Sequence, residues 1–354
     1  MTFTRFLFPS LLLVTLGIAE ADDRPVTISN DQLVVQLETA GAQLLSIRHA
    51  PTATEYLWQG DPAYWANRSP NMFPVCVTFK DERFTYRNRA YHMPRMGLIH
   101  DAPFETTRQE GALVRQTLTS TAKTRVHYPF SFRLHIESEL NGLTLIQRYI
   151  IINEGSSPMY YALGGHPGFN TPLTDGRTRD DYELIFSEKM DNYRPEVASS
   201  LIQSNQLRFL QNENRLSLGD ERIPGGGIFM REHPSRQIGV GLTGRPAYVT
   251  VDLGDFPNTN IWTPPGMPYA CIEPMVGHHP GSHRGEAVPY QTPRRCHPHL
   301  HFHDHDRSRG RGAGVGWILS RAPYRKSGTT IRRTNPLLVP PTTMVFSPSC
   351  VAIT

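Results

Sequence analysis

Between Phe130 and Ile152 the chain alternates apolar and polar residues around a tight-turn dipeptide, and this limits its fold more than any other feature. Phe130, Phe132, Leu134 and Ile136 interleave with Ser131, Arg133 and His135. A period of two puts the first set on one face of a strand and the second on the other. Asn141-Gly142 follows, and both residue types tolerate positive φ, which a two-residue hairpin turn requires. The return run is Leu143 to Ile152. Such a hairpin has one apolar face that a second layer must cover. Shorter strand-like runs surround it: Val26-Thr27-Ile28-Ser29, Leu33-Val34-Val35-Gln36-Leu37 and Ala42-Gln43-Leu44-Leu45-Ser46-Ile47. No long helical period and no alternation of strands with helices appears. The pattern predicts an all-β fold, a large antiparallel β-sandwich. With 38% hydrophobic and 19% charged residues, the chain can bury its core.

The two ends read differently from this body. Arg5 precedes an apolar run from Phe6 to Ile18, and Ala19-Glu20-Ala21 fits a small-x-small cleavage site. Residues 1–21 are therefore expected to be a signal peptide cut after Ala21, giving a secreted or periplasmic protein with no membrane attachment after cleavage. An uncleaved anchor is the other reading, although the run is short for a span. Residues 22–290 are the expected sandwich domain. From about residue 291 apolar periodicity is lost. His297, His299, His301, His303 and His305 alternate, and arginines follow among glycines. The segment 291–354 is expected to be an atypical His/Arg/Pro-rich tail, disordered or outside the domain. Its histidines could hold Zn, Ni or Cu, but they form no framed site, so no metal is assigned.

The formal net charge of +4 comes from that tail. Of 36 Lys/Arg and 32 Asp/Glu, the tail holds ten and two, leaving 26 basic and 30 acidic residues in the body. A mildly acidic body without a basic recognition module excludes nucleic acid as a partner. Cys76, Cys271, Cys296 and Cys350 have neither zinc-module nor dense disulfide spacing. Cys76 and Cys271 lie in apolar runs and read as buried free thiols.

Two distant stretches carry groups suited to proton transfer. Gly164-Gly165-His166-Pro167-Gly168-Phe169-Asn170 holds an imidazole on a turn of conformationally restricted residues. Cys271-Ile272-Glu273-Pro274 holds a carboxylate within a hydrophobic run. A histidine titrates near neutrality, and burial would bring a carboxyl toward the same range. Alone, each has a plain structural explanation: a core histidine, a solvated strand-end glutamate.

Taken in order, further motifs join these two. They are Gly41 to Ile47, Glu55-Tyr56-Leu57-Trp58 through Tyr64-Trp65, Arg68-Ser69-Pro70, Phe73-Pro74, Tyr91-His92-Met93-Pro94 with Gly97, Asp101 and Phe104, and Ile261-Trp262. Together with the His166 and Glu273 stretches, this series resembles the aldose 1-epimerase family, the galactose mutarotase-like sugar epimerases, in its compact bacterial branch. The likeness runs from about Leu33 to Gly277. It implies a galactose mutarotase-like supersandwich and interconversion of the α and β anomers of a free hexose. It implies Glu273 as the base and His166 as the acid, with no cofactor, since both steps are proton transfers. It implies Arg68 as a residue binding sugar hydroxyls and Asp101 as a further substrate-binding residue. Trp262 could stack on a sugar face or fill the core.

The resemblance also exposes departures. Met96-Gly97-Leu98-Ile99-His100-Asp101 stands where the family writes His-Gly-Phe-Ala-Arg before an acidic or polar residue. Met96 replaces a histidine that helps hold the sugar, and a thioether can neither donate a hydrogen bond nor carry a proton. His100 replaces the arginine and is a candidate to compensate. Val77-Thr78 stands where Gly-Arg is common, and Met275 where a tryptophan often follows Glu-Pro. Two functions are compatible with this set: an exported isomerase of reduced or altered activity, and a carbohydrate-binding protein that has lost turnover. Neither the sugar nor the oligomeric state is readable.

Overall fold

The computed structural model describes residues 24–198, 201–277, 290–291 and 342–352. The expected signal peptide and the histidine tract of the tail lie outside the described residues. The described chain is built almost wholly of strands, and its single α-helix among them, Ala122–His127, is capped by Thr121.

Nine strands form the larger sheet. In order across it they are Leu201–Ser217, Tyr182–Ala198, Gln237–Leu242, Ala247–Asp252, Thr342–Ala352, Thr144–Asn153, Phe132–Asn141, Leu113–Thr119 and Glu105–Glu110. The predicted hairpin is at its centre, with Phe132, Leu134 and Ile136 buried and Arg133 and His135 half-exposed. Its turn sits one residue later than Asn-Gly suggests. Asn141 pairs with Thr144, so Gly142 and Leu143 are the central residues. Gly142, at φ 55°, takes the first of them, where only glycine is unstrained in a II′-type turn.

The smaller sheet carries the site. It orders Ile228–Arg231, Asn258–Trp262, Tyr269–Val276, Leu163–Gly165 and Asn71–Met72, with Gly168–Asn170 also paired to Tyr269–Val276. Every residue of Tyr269–Val276 is buried. A central strand covered on both faces loses the polar alternation of a half-wet one. One continuous core cluster includes Leu134 and Ile136 from the larger sheet and Leu163, Ile261 and Ile272 from the smaller. This is a sandwich, as the sequence predicts.

A third sheet, Val26–Ser29, Leu33–Leu37 and Leu44–His49, closes one side. The last of these begins at Leu44 rather than Ala42, because Gly41 and Ala42 turn at φ 70° and 48°. Buried Asn71 ties the three sheets together. Its Nδ2 donates to the carbonyls of Gly41 and Ala42, each at 2.9 Å, and its Oδ1 accepts from the Tyr149 hydroxyl at 2.6 Å.

The structure differs from the sequence expectation at one end of the tail. Thr342–Ala352 lies between Ala247–Asp252 and Thr144–Asn153, parallel to both, in a sheet otherwise antiparallel. Met344 in it is buried in the common core. The physical reason is that two strands buried in mid-sheet would otherwise leave a row of backbone groups unpaired. The segment is not apolar enough in its surroundings for this to be read from composition.

Candidate active site

His166 sits not on a turn, as its Gly/Pro-rich surroundings suggest, but in the break between Leu163–Gly165 and Gly168–Asn170, which pair along Tyr269–Val276 in one register, and it is held from both sides. Its N–H donates to the Pro70 carbonyl at 3.0 Å, and the Gly168 N–H donates to the Arg68 carbonyl at 2.9 Å. Gly168 in turn accepts from the Trp58 N–H at 2.8 Å, and the Trp58 indole N–H donates to the Trp65 carbonyl at 2.8 Å. Asn170, just beyond, donates from Nδ2 to the carbonyls of Glu55 and Leu57. The segment from Trp58 to Pro70 therefore braces the imidazole, and each motif identified in sequence there has a structural task.

The two predicted proton-transfer residues meet. His166 Nε2 is 3.3 Å from Glu273 Oε1, and both side chains are nearly buried. Asn260, directly across the strand pair from Glu273, donates from Nδ2 to the same Oε1 at 2.8 Å. Burial pushes the Glu273 carboxyl up to about 8, against the pull of the Asn260 amide and the Arg95 charge. Burial pushes the His166 imidazole down to about 3, with the electrostatic influence of Arg95 and His100 adding to it. Burial thus favours the uncharged form of each group, a protonated carboxyl beside a neutral imidazole.

Aromatic rings wall the imidazole. Trp65 lies over His166 with centroids 5.0 Å apart and planes at 34°, and Trp262 meets it edge-on at 5.7 Å. Tyr269 packs against Trp58, Trp65 and Trp262. Trp262 is therefore beside the imidazole and also part of a packed aromatic cluster. His166 Nδ1 and the Tyr269 hydroxyl are buried without a hydrogen-bond partner among the described residues.

The other predicted residues form a second, adjoining cluster. Arg68 is half-buried and donates to the Leu45 carbonyl at 2.9 Å. His100 Nδ1 is 2.6 Å from Asp101 Oδ1, and its Nε2 is 3.1 Å from Asn67 Oδ1. Arg68, His100 and Asp101 all act electrostatically on Glu38, whose carboxyl burial pushes up. His100 links the two clusters through its effect on His166. Asp101 is largely exposed, and among the described residues its side chain pairs with His100, apart from the His166–Glu273 contact.

Met96 takes the left-handed conformation at φ 63° and donates its N–H to Val77 at 2.7 Å. With Val77 it packs against a cluster of Met72, Cys76, Ala162, Phe229 and Met275. Three departures noted in sequence, Met96, Val77 and Met275, thus belong to one apolar patch flanking Glu273. Cys76 and Cys271 are buried free thiols, both pushed up by burial and by the nearby Glu273 charge.

Sequence reasoning missed Asn260 and Arg95. The turn Thr263-Pro264-Pro265-Gly266 joins two apolar runs, and pairing them as a hairpin sets Asn260 opposite Glu273. Arg95 gives no local signal, because its bearing on the pair arises from the fold alone.

A model of the aldose 1-epimerase family matches residues 24–208. The chain belongs to the aldose 1-epimerase family. Protein LacX, chromosomal, of Lactococcus lactis subsp. lactis is 30% identical over 263 residues, covering 71% of this chain and 87% of that protein. Among solved structures, the galactose mutarotase related enzyme from Lactobacillus acidophilus superposes with a TM-score of 0.67 at 24% identity, covering 71% of this chain and 85% of that one. A galactose mutarotase-like protein from Lactobacillus casei gives 0.66 at 24% identity, with 72% and 88% covered. Both likenesses establish the mutarotase-like fold. The aldose 1-epimerase family acts on free sugars, so a small-molecule sugar is the partner this membership supports.

Proposed function

We propose that this protein interconverts the anomers of a free hexose, with Glu273 and His166 exchanging the two protons. The observation that carries the reading is the 3.3 Å contact between His166 Nε2 and Glu273 Oε1 beneath aromatic rings. In the free protein the shared proton rests on the carboxyl. Its transfer to Nε2 gives a carboxylate and an imidazolium. The carboxylate takes the proton of the anomeric hydroxyl, and the imidazolium gives one to the ring oxygen as the C1–O5 bond breaks. The aldehyde rotates about C1–C2, and the reverse transfers close the ring on its other face. Atoms and protons balance over the cycle, and the pair ends as it began. Trp65 and Trp262 supply apolar faces for the sugar's C–H surface, and Arg68 and His100 are the nearest groups for its hydroxyls. Export through residues 1–21 is part of the proposal and would place this activity outside the cytoplasm.

A second reading is sugar binding without turnover. The observation favouring it is Met96, an apolar side chain in an apolar cluster where the family's histidine would assist the acid. Calorimetric titration with D-glucose and D-galactose, run beside polarimetry, separates the two. Binding with accelerated mutarotation supports the first reading, and binding without acceleration supports the second.

A further inference from the structure

Glu273 has two carboxyl oxygens in unequal surroundings. Oε1 receives the Asn260 amide at 2.8 Å and faces His166 Nε2 at 3.3 Å, whereas no hydrogen bond among the described residues reaches Oε2. Asn260 reaches Oε1 because Asn258–Trp262 and Tyr269–Val276 pair in a register that sets it opposite Glu273. Its carboxamide is itself confined. The backbone of Gly227 lies over it so closely that a Cβ at residue 227 would overlap Asn260 Oδ1 and come within 3.0 Å of its Nδ2. An amide held from both sides has one orientation to offer.

We infer that Asn260 is a positioning residue for Glu273, pinning Oε1 and leaving Oε2 as the oxygen that trades protons with the sugar. This rests on the proton-exchanging role proposed above for Glu273. An N–H donor stabilises the ionised carboxylate more than the neutral acid, so Asn260 also favours the state in which Glu273 can act as a base. The other groups bearing on Glu273 are His166 in the strand break opposite it, Arg95 before Met96, Cys76 beyond Asn71–Met72, and Cys271 on the same strand. None of them donates to the carboxyl in Asn260's place. Gly227 acts one step further out, by keeping the amide aimed.

The test uses the mature protein with Asn260→Leu and, separately, Gly227→Ala. The Glu273 carboxyl is followed by NMR titration of protein labelled with 13C at glutamate carboxyls, its signal assigned by loss in Glu273→Gln. In Asn260→Leu the proton affinity of Glu273 should rise about tenfold, the size expected for losing one hydrogen bond to a charged group. The value of kcat should fall by about tenfold at neutral pH with KM little changed. Gly227→Ala should move both in the same direction by less. An unchanged Glu273 titration in a folded Asn260→Leu protein would overturn the inference. So would a pure KM effect. If the unaltered protein accelerates no anomer exchange, the proposed function fails, and the NMR titration still judges Asn260 by itself.

Discussion

His166 Nε2 and Glu273 Oε1, from a strand break and a central strand far apart in sequence, stand 3.3 Å apart. The carboxyl is pushed up to about 8 and the imidazole down to about 3, both by burial. Across the interval between these values the pair keeps a single proton. Above about 8 that proton is lost, and no group remains to protonate the ring oxygen. The buffer-corrected rate of anomer exchange should therefore be level through neutrality and fall above about pH 8. A rate that climbs steadily through pH 8 to 10 would mean the working proton lies elsewhere.

The same burial gives a stability prediction with a definite sign. The folded-state affinity of Glu273 for its proton exceeds the value of 4.5 for a free glutamate. Ionisation thus costs the folded state nothing below 4.5, progressively more as pH rises from 4.5, and its full amount above about 8. Glu273→Gln removes the ionisation and keeps a partner for Asn260. It should leave the unfolding free energy nearly unchanged at pH 4.5 and raise it at pH 8.5, by at most about 5 kcal/mol. Urea unfolding at the two pH values checks this, and an equal effect at both would contradict it.

Met96 offers a gain-of-function experiment. Its φ of 63° lies in a region where histidine is found more readily than methionine, so Met96→His should fold without added strain. A ring there would restore a proton donor beside the pair, and kcat should rise roughly tenfold or more, the lower part of the range for acid–base assistance. Polarimetry of the variant beside the unaltered protein measures it. No gain would mean that the apolar patch around Met275 and Cys76 excludes the sugar from that side.

His233 predicts a purely structural pH effect. It is buried with neither ring nitrogen bonded among the described residues, and burial pushes it down to about 4. Its neutral burial contributes fully above 6.5 and is lost as pH falls from 6.5 toward 4. His233→Leu should stabilise the fold by about 1–3 kcal/mol at neutral pH, the cost of unsatisfied buried polar groups, and should flatten that acid decline. Thermal unfolding between pH 4 and 7 reads both effects.

The sandwich was legible in sequence where one face of a strand is wet. Phe132, Leu134 and Ile136 against Arg133 and His135 announce a period of two. Tyr269–Val276 has no such alternation, because both its faces are covered, and the resemblance to a family pattern is what favours a catalytic reading of Glu273 over a structural one. The neighbouring residues Arg68, His100 and Trp262 were found in the same way. Asn260 escaped because its importance lies in a cross-strand register, and Trp65 was seen only as part of a motif, not as the ring over His166. Thr342–Ala352 escaped for another reason. Its parallel pairing joins strands from distant parts of the chain, which local turn signals do not encode.

The central claim is that Glu273 and His166 together exchange protons with a sugar. Polarimetry of freshly dissolved α-D-glucose and α-D-galactose tests it most directly, using the unaltered protein, Glu273→Gln and His166→Gln. The account predicts acceleration by the unaltered protein and a loss of at least about 100-fold in each variant, the scale of general acid–base catalysis. Acceleration that survives in both folded variants would contradict it.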